Sequence, residues 1–221
     1  MQSDERVSVE GGEKNTDPQS LLSRVTELEE QVDEIRRGGD ATAIVAAAHA
    51  AVDEIEHRIG TRWNETQREA LIAVKRLTFN AASDCWPGWT VSQNRPHERT
   101  LTAALELAQR FRGLVEKMSL GRLQEGTATW LVGAFELALG RYADASSTFA
   151  AAREHYLSAG APCFALWAEG YMAIVQRGSG KAGPQGPDEF EQVCQKILAG
   201  DFKDAPAWIE QLRTAVKVFT S

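Results

Sequence analysis

The sequence predicts an all-α protein, and three observations lead there. Of its 221 residues, 32 are alanine, which loses no side-chain entropy on entering a helix. Apolar residues recur at three- and four-residue spacing through most of the chain, and no convincing strand pattern interrupts them. No proline falls between Gln19 and Trp86 or between His97 and Ala161, so nothing breaks the helices there.

Composition narrows the class further. Hydrophobic residues at 43% and charged residues at 25% are ordinary for a soluble globular chain. A net charge of -7 argues against a nucleic-acid polyanion as partner. The three cysteines, Cys85, Cys163 and Cys194, are odd in number and widely spaced, which suggests neither a disulfide framework nor paired zinc ligands. There is no long uncharged apolar run, and MQSDERVSVEGGEKNTD is too polar for a secretory signal. The expectation is a cytoplasmic, soluble protein with no membrane partner and no cofactor.

The elements follow in order. Residues 1–18 hold almost no apolar side chains and read as a disordered acidic tail. Over residues 19–37, Leu21, Val25, Leu28, Val32 and Ile35 are spaced 4, 3, 4, 3, a heptad pattern. Two readings stand for it: a homodimer seam through residues 20–37, or a short amphipathic helix packed on the rest of the chain. Gly38-Gly39 closes this helix. Asp40 or Thr42 caps the next, which carries Ile44, Val45, Ala48, Val52, Ile55 and Ile59 on one stripe and stops at Gly60. A third helix spans about Asn64 to Ala82, with Ala70, Leu71, Val74, Leu77 and Thr78 on one face. After the aperiodic stretch SDCWPGWTVSQNRPHER, helix resumes near His97 with Leu101, Ala104, Leu105, Ala108, Phe111 and Val115 as its stripe.

From Thr127 the chain reads TATWLVGAFELALGRYADASSTFAAAREHY, two helices around a turn at Gly140. Small residues at Gly133, Ala145 and Ala152 allow close approach, and Phe149 fills the gap to the following helix. This unit, residues 126–159, resembles the tetratricopeptide repeat (TPR). The family's first-helix small position falls on Gly133, its turn glycine on Gly140 and its turn aromatic on Tyr142. Its second-helix alanine, aromatic and alanine fall on Ala145, Phe149 and Ala152. Trp130 is displaced by one from the usual tryptophan, Glu136 stands at the tyrosine position, and no proline closes the unit at Leu157. A second turn motif recurs over residues 200–205 as Gly200, Phe202 and Ala205, with Ile209 and Leu212 continuing the helix. Between the two, CFALWAEGYMAIVQ is one more helix with Pro162 in its first turn, and Arg177 to Pro187 is a flexible loop.

The resemblance implies, over residues 40–221, antiparallel helical hairpins stacked as a short right-handed superhelix. It also implies an inner groove lined in the clear unit by Thr127, Trp130, Ala134, Leu137 and Ala138. The family's chaperone-tail clamps use lysine and asparagine at such places, so the apolar residues here suit a hydrophobic helix or peptide instead. The alternative for Trp130 is a place in the core. Gly140 and Ala145 are expected to resist enlargement, because a bulky side chain there would separate packed helices.

Chemistry-bearing groups are few. His49, Asp53 and His57 share one helix face, and Glu54 with His57 makes the Glu-x-x-His spacing of di-iron bundles. A second such motif on a facing helix is required and none occurs. Cys85 lies in DCWPGW, where it is a buried apolar residue or a nucleophile with His97 as base. Trp86 and Trp89 beside it form either a plug on neighbouring helices or an exposed binding element. The stretch GSGKAGPQG lacks Walker spacing, and no G-x-S-x-G elbow occurs. The expected function is a non-catalytic scaffold that binds another protein in the groove of the array. The rival is a helical-bundle metalloenzyme built on His49, Asp53, Glu54 and His57.

Overall fold

The heptad-patterned segment folds as α1 (Pro18–Gly38), and its seam is spent within the chain. Leu21, Val25, Leu28 and Val32 are buried in one cluster with Val52, Ile55 and Ile59 of α2 (Ala41–Ile59) and Leu71, Val74 and Leu77 of α3 (Glu65–Asp84). Packing on the rest of the chain therefore accounts for the pattern. Charged pairs flank the seam: Arg24 to Glu54 at 2.7 Å, Arg76 to Glu29 at 2.6 Å, and Arg36 to Asp84. The computed structural model describes residues 18–59, 63–91, 95–180 and 189–220. The tail read over residues 1–18 lies outside the described residues except for Pro18, and the loop read from 177 lies outside them over 181–187.

Local sequence explains the starts of these helices. Asp40 accepts the backbone N–H groups of Thr42 and Ala43 ahead of α2. Asn64 and Gln67 exchange side-chain and backbone hydrogen bonds, both 2.9 Å, as a capping box for α3. A 3-10 turn, Pro87–Trp89, then leads towards α4 (Glu98–Lys117). There follow α5 (Arg122–Ala138), α6 (Tyr142–Ser158), α7 (Pro162–Gly178), α8 (Glu189–Ala199) and α9 (Ala205–Phe219). Among the described residues there is no strand, and each helix packs on the next. The stripes read on α2, α3 and α4 are all buried.

α5, α6 and α7 are the most regular part. Each is 17 residues long, and they begin at Arg122, Tyr142 and Pro162. A two-helix unit therefore advances 40 residues, from Arg122 to Pro162, against about 34 in the tetratricopeptide unit. Gly126 against Tyr156 and Gly133 against Phe149 show that α5 and α6 run antiparallel. The turns share one closure: Arg141 N–H donates to Glu136 O at 2.8 Å and Ala161 N–H to Tyr156 O at 2.9 Å, across Gly140 and Gly160 at φ 71° and 68°. The end of α4 closes likewise, Leu120 N–H to Val115 O at 3.1 Å, with Ser119 as the left-handed residue at φ 52°.

Two expectations need correction here. Gly140 has no heavy atom within 4 Å of where a Cβ would stand, so its positive φ, not helix packing, is what excludes larger residues. Gly200 does not repeat Gly140. At the second turn the left-handed residue is Asp201, φ 49°, while Gly200 clears space for the Phe202 ring. Ala205, Ile209 and Leu212 are buried, as are Ala145, Phe149 and Ala152. The last helix turns back: α9 packs on α7, where Leu212 fills the space beside Gly170, and on the 3-10 turn. No helix among the described residues is long and apolar enough to cross a membrane.

Candidate functional site

Four parts of the chain bring their aromatic rings to one place. The connection after α3 supplies Trp86 and Trp89, α5 supplies Trp130, α7 supplies Trp167 and Tyr171, and α9 supplies Phe219. Trp130 stacks on Trp167 at 4.3 Å between centroids and 27° between planes. Trp86 meets Trp130 and Tyr171 edge-on at 5.6 and 5.7 Å, and lies 5.9 Å from Phe219. Such tilted contacts suit the ring quadrupoles. Trp86 is 2% exposed, and its indole N–H donates to the carbonyl of Ala134 at 3.0 Å. It is a core plug. Trp89 is 43% exposed and its N–H donates to Ser83 O at 2.6 Å, so the two tryptophans of one turn have different roles.

This plug corrects the expected groove. Trp130, Ala134, Leu137 and Ala138 are all buried, and Thr127 is half-buried with its hydroxyl turned back to Leu123 O. The carbonyls of Ala134 and Ala138 accept from Trp86 and Arg95. Arg95 reaches Ala138 O at 2.8 Å while its guanidinium lies over Phe219, placing a cation at the C-terminal end of α5. Trp86 and Arg95, backed by Phe219 of α9, occupy the space read as a groove. Tyr142, the turn aromatic, is half-buried against Gly178, and Gly133 faces the Phe149 ring.

The polar face of α2 divides between Arg110 on one side and Arg24 with Arg58 on the other. His49 donates through Nε2 to Ala103 O at 2.9 Å and faces Arg110 through Nδ1 at 3.4 Å. Arg110 also holds Asp53 and, at 2.9 Å, Glu56. Glu54 points the other way, towards Arg24 and Arg58; the Arg24 hydrogen bond draws its carboxyl down to about 2. His57 is exposed. These groups tie α2 to α1 and α4, with His49, Asp53 and Glu56 meeting at Arg110, and no group of three or more His, Cys, Asp or Glu side chains among the described residues is placed to hold a metal. Cys85 is buried with its thiol towards Ala41 O, and burial pushes it up to about 12, so it is a thiol rather than a nucleophile at neutral pH.

A cleft of about 690 Å³ lies between α1, α2 and the end of α3, lined by Glu30, Asp33, Arg36, Arg37, Ile44 and Asp84. Arg36 bridges Asp33 and Asp84 across it, so most of its charge is satisfied internally. Sequence reading missed Arg110 as the node between α2 and α4, and missed Trp167 as the stacking partner of Trp130. Neither carries a local pattern, since both act across helices distant in sequence. What results is an all-helical chain whose consecutive helices pack on one another, with an aliphatic cluster between α1, α2 and α3 and an aromatic centre further along. No family model, curated protein or solved structure matches the chain.

Proposed function

We propose that this chain is a non-catalytic, cytoplasmic scaffold of the TPR-like type that binds a peptide or helix of a partner protein. The observation that carries the reading is the run α5, α6 and α7, equal antiparallel helices joined by matching three-residue turns. Runs of this kind bury a continuous core between neighbours and leave side faces for recognition. The engagement of His49 and Asp53 with Arg110, and of Glu54 with Arg24 and Arg58, favours the same reading over the α2 metalloenzyme. The partner contact belongs at the edge of the aromatic centre, where Trp89 is exposed and Trp167 half-buried, since Trp130 and its neighbours lie beneath.

The test is capture of partners on the full chain, followed by cross-link mapping. The tail control removes residues 1–17 only, because removing α1 would bare Val52, Ile55, Leu71 and Val74. A stoichiometric partner cross-linked near Trp89 or Trp167 is expected. A tightly held metal or small molecule that the protein chemically transforms, with no protein partner, would overturn the reading.

A further inference from the structure

Two buried polar atoms without a partner belong to residues that contact Trp89. One is the indole nitrogen of Trp130, whose ring lies 6.2 Å from that of Trp89; the other is the hydroxyl of Ser83, the residue whose carbonyl Trp89 holds. A buried indole N–H ordinarily finds an acceptor, and one left unpaired carries a desolvation cost that a suitable ligand would relieve. Trp89 itself is lightly held. It rests on one hydrogen bond and on tilted contacts with Trp86 and Trp130, at the end of a three-residue 3-10 turn, and is 43% exposed. Trp86 is anchored by burial and by Ala134.

We propose that Trp89 is a displaceable cover over a subsite for a peptide segment bearing an aromatic side chain. The aromatic ring of the ligand takes the place of Trp89 beside Trp86 and Trp130. A backbone carbonyl accepts from the Trp130 indole N–H, and a backbone N–H donates to the Ser83 hydroxyl. The two handles are neutral, and the adjacent cation Arg95 is committed to Ala138 O, so an amide fits better than a carboxylate or phosphate. The chain's own Trp89, seated there with its N–H on Ser83 O, shows which side chain the place accepts. The inference rests on the peptide-binding reading above and names its subsite.

The experiment titrates N-acetyl-tryptophanamide, and separately 3-methylindole, into the full chain labelled with nitrogen-15 at its indoles. The Trp89 and Trp130 signals are assigned by Trp→Phe variants. The amide is expected to shift the Trp130 N–H signal saturably and to move Trp89 away from its Ser83-bonded position. Trp89→Ala should tighten the amide at least five-fold, and adding Trp130→Phe should erase the advantage of the amide over 3-methylindole. Equal binding of the two probes would mean a vacated ring slot only and would overturn the proposal. Unmoved indole signals in the unaltered chain would overturn it too, which decides the matter even where Trp89→Ala fails to fold. A partner captured while Trp130 stays silent would sink the subsite and leave the scaffold reading standing.

Discussion

Gly126 and Tyr156 share one space: a methyl group built on the glycine would stand 2.6 Å from the tyrosine ring. The ring cannot yield easily, because it is 1% exposed and stacks on Phe164. At Gly133 the same construction meets Phe149 at 3.1 Å, a smaller conflict. Alanine gains about 1 kcal/mol over glycine in a helix interior, whereas overpacking costs about 1–3 kcal/mol. Gly126→Ala is therefore expected to destabilise the protein by about 1–2 kcal/mol, and Gly133→Ala by less. Urea denaturation of both variants checks the ordering. A larger loss at Gly133 would show that the tighter helix approach lies at the other end of the hairpin.

The turns give a prediction of opposite sign at two positions. Gly140 and Ser119 both occupy the left-handed region after a helix, at φ 71° and 52°. A side chain there costs about 1–2 kcal/mol, and glycine avoids it. Gly140→Ala should lose about 1 kcal/mol although nothing surrounds the new methyl group, and Ser119→Gly should gain up to about 1 kcal/mol. Thermal melts compare them directly. A neutral Gly140→Ala would remove the backbone argument.

Much of the fold was legible because it is local. Stripes such as Ile44, Val45, Ala48 and Val52, and caps such as Asp40, lie within one helix and its first turn, and each takes its expected place. The candidate site was not legible for the converse reason. Trp130 on a helix stripe looks the same whether its face meets a partner or meets Trp86, and only the return of α9 and of the 85–91 segment decides between them. The repeat reading shares this limit. Gly200, Phe202 and Ala205 reproduce the spacing of Gly140, Tyr142 and Ala145, yet the backbone there puts Asp201, not Gly200, in the left-handed region.

Glu136 marks a local conflict. It stands at the position where the resemblance calls for tyrosine, and one of its carboxylate oxygens is buried without a partner. Burial, opposed by a Thr148 hydrogen bond, raises its carboxyl above the ordinary value of 4.5. A folded value above the unfolded one makes this group's contribution most favourable below 4.5 and progressively lost as pH rises through the raised value. Glu136→Gln should therefore raise stability at pH 7 by up to about 1 kcal/mol, the low end for an unpaired buried oxygen because the side chain is only part-buried. At a pH below 4.5 the gain should vanish. Urea midpoints at the two pH values test this, and an equal gain at both would assign the effect to packing rather than charge.

Glu54 carries the opposite sign. Its hydrogen bond to Arg24 is the largest cause holding it at about 2, below the ordinary 4.5, with Arg58 adding to the effect. A depressed folded value contributes stability that is fully present above the unfolded value and is lost as pH falls from 4.5 through about 2. That contribution fastens α1 to α2, since Arg24 and Glu54 lie on the two helices. Acidification through this window should loosen α1 before the α5–α6 hairpin, which hydrogen exchange can resolve helix by helix. Glu54→Gln should weaken α1 protection at pH 7 and flatten its dependence between pH 4.5 and 2. Salt should reproduce part of the loss, because both side chains are about one-third exposed and open to screening. Uniform loss of protection across α1 and α6 in acid would mean that the helices open as a single unit and that the Arg24–Glu54 pair does not govern the docking of α1.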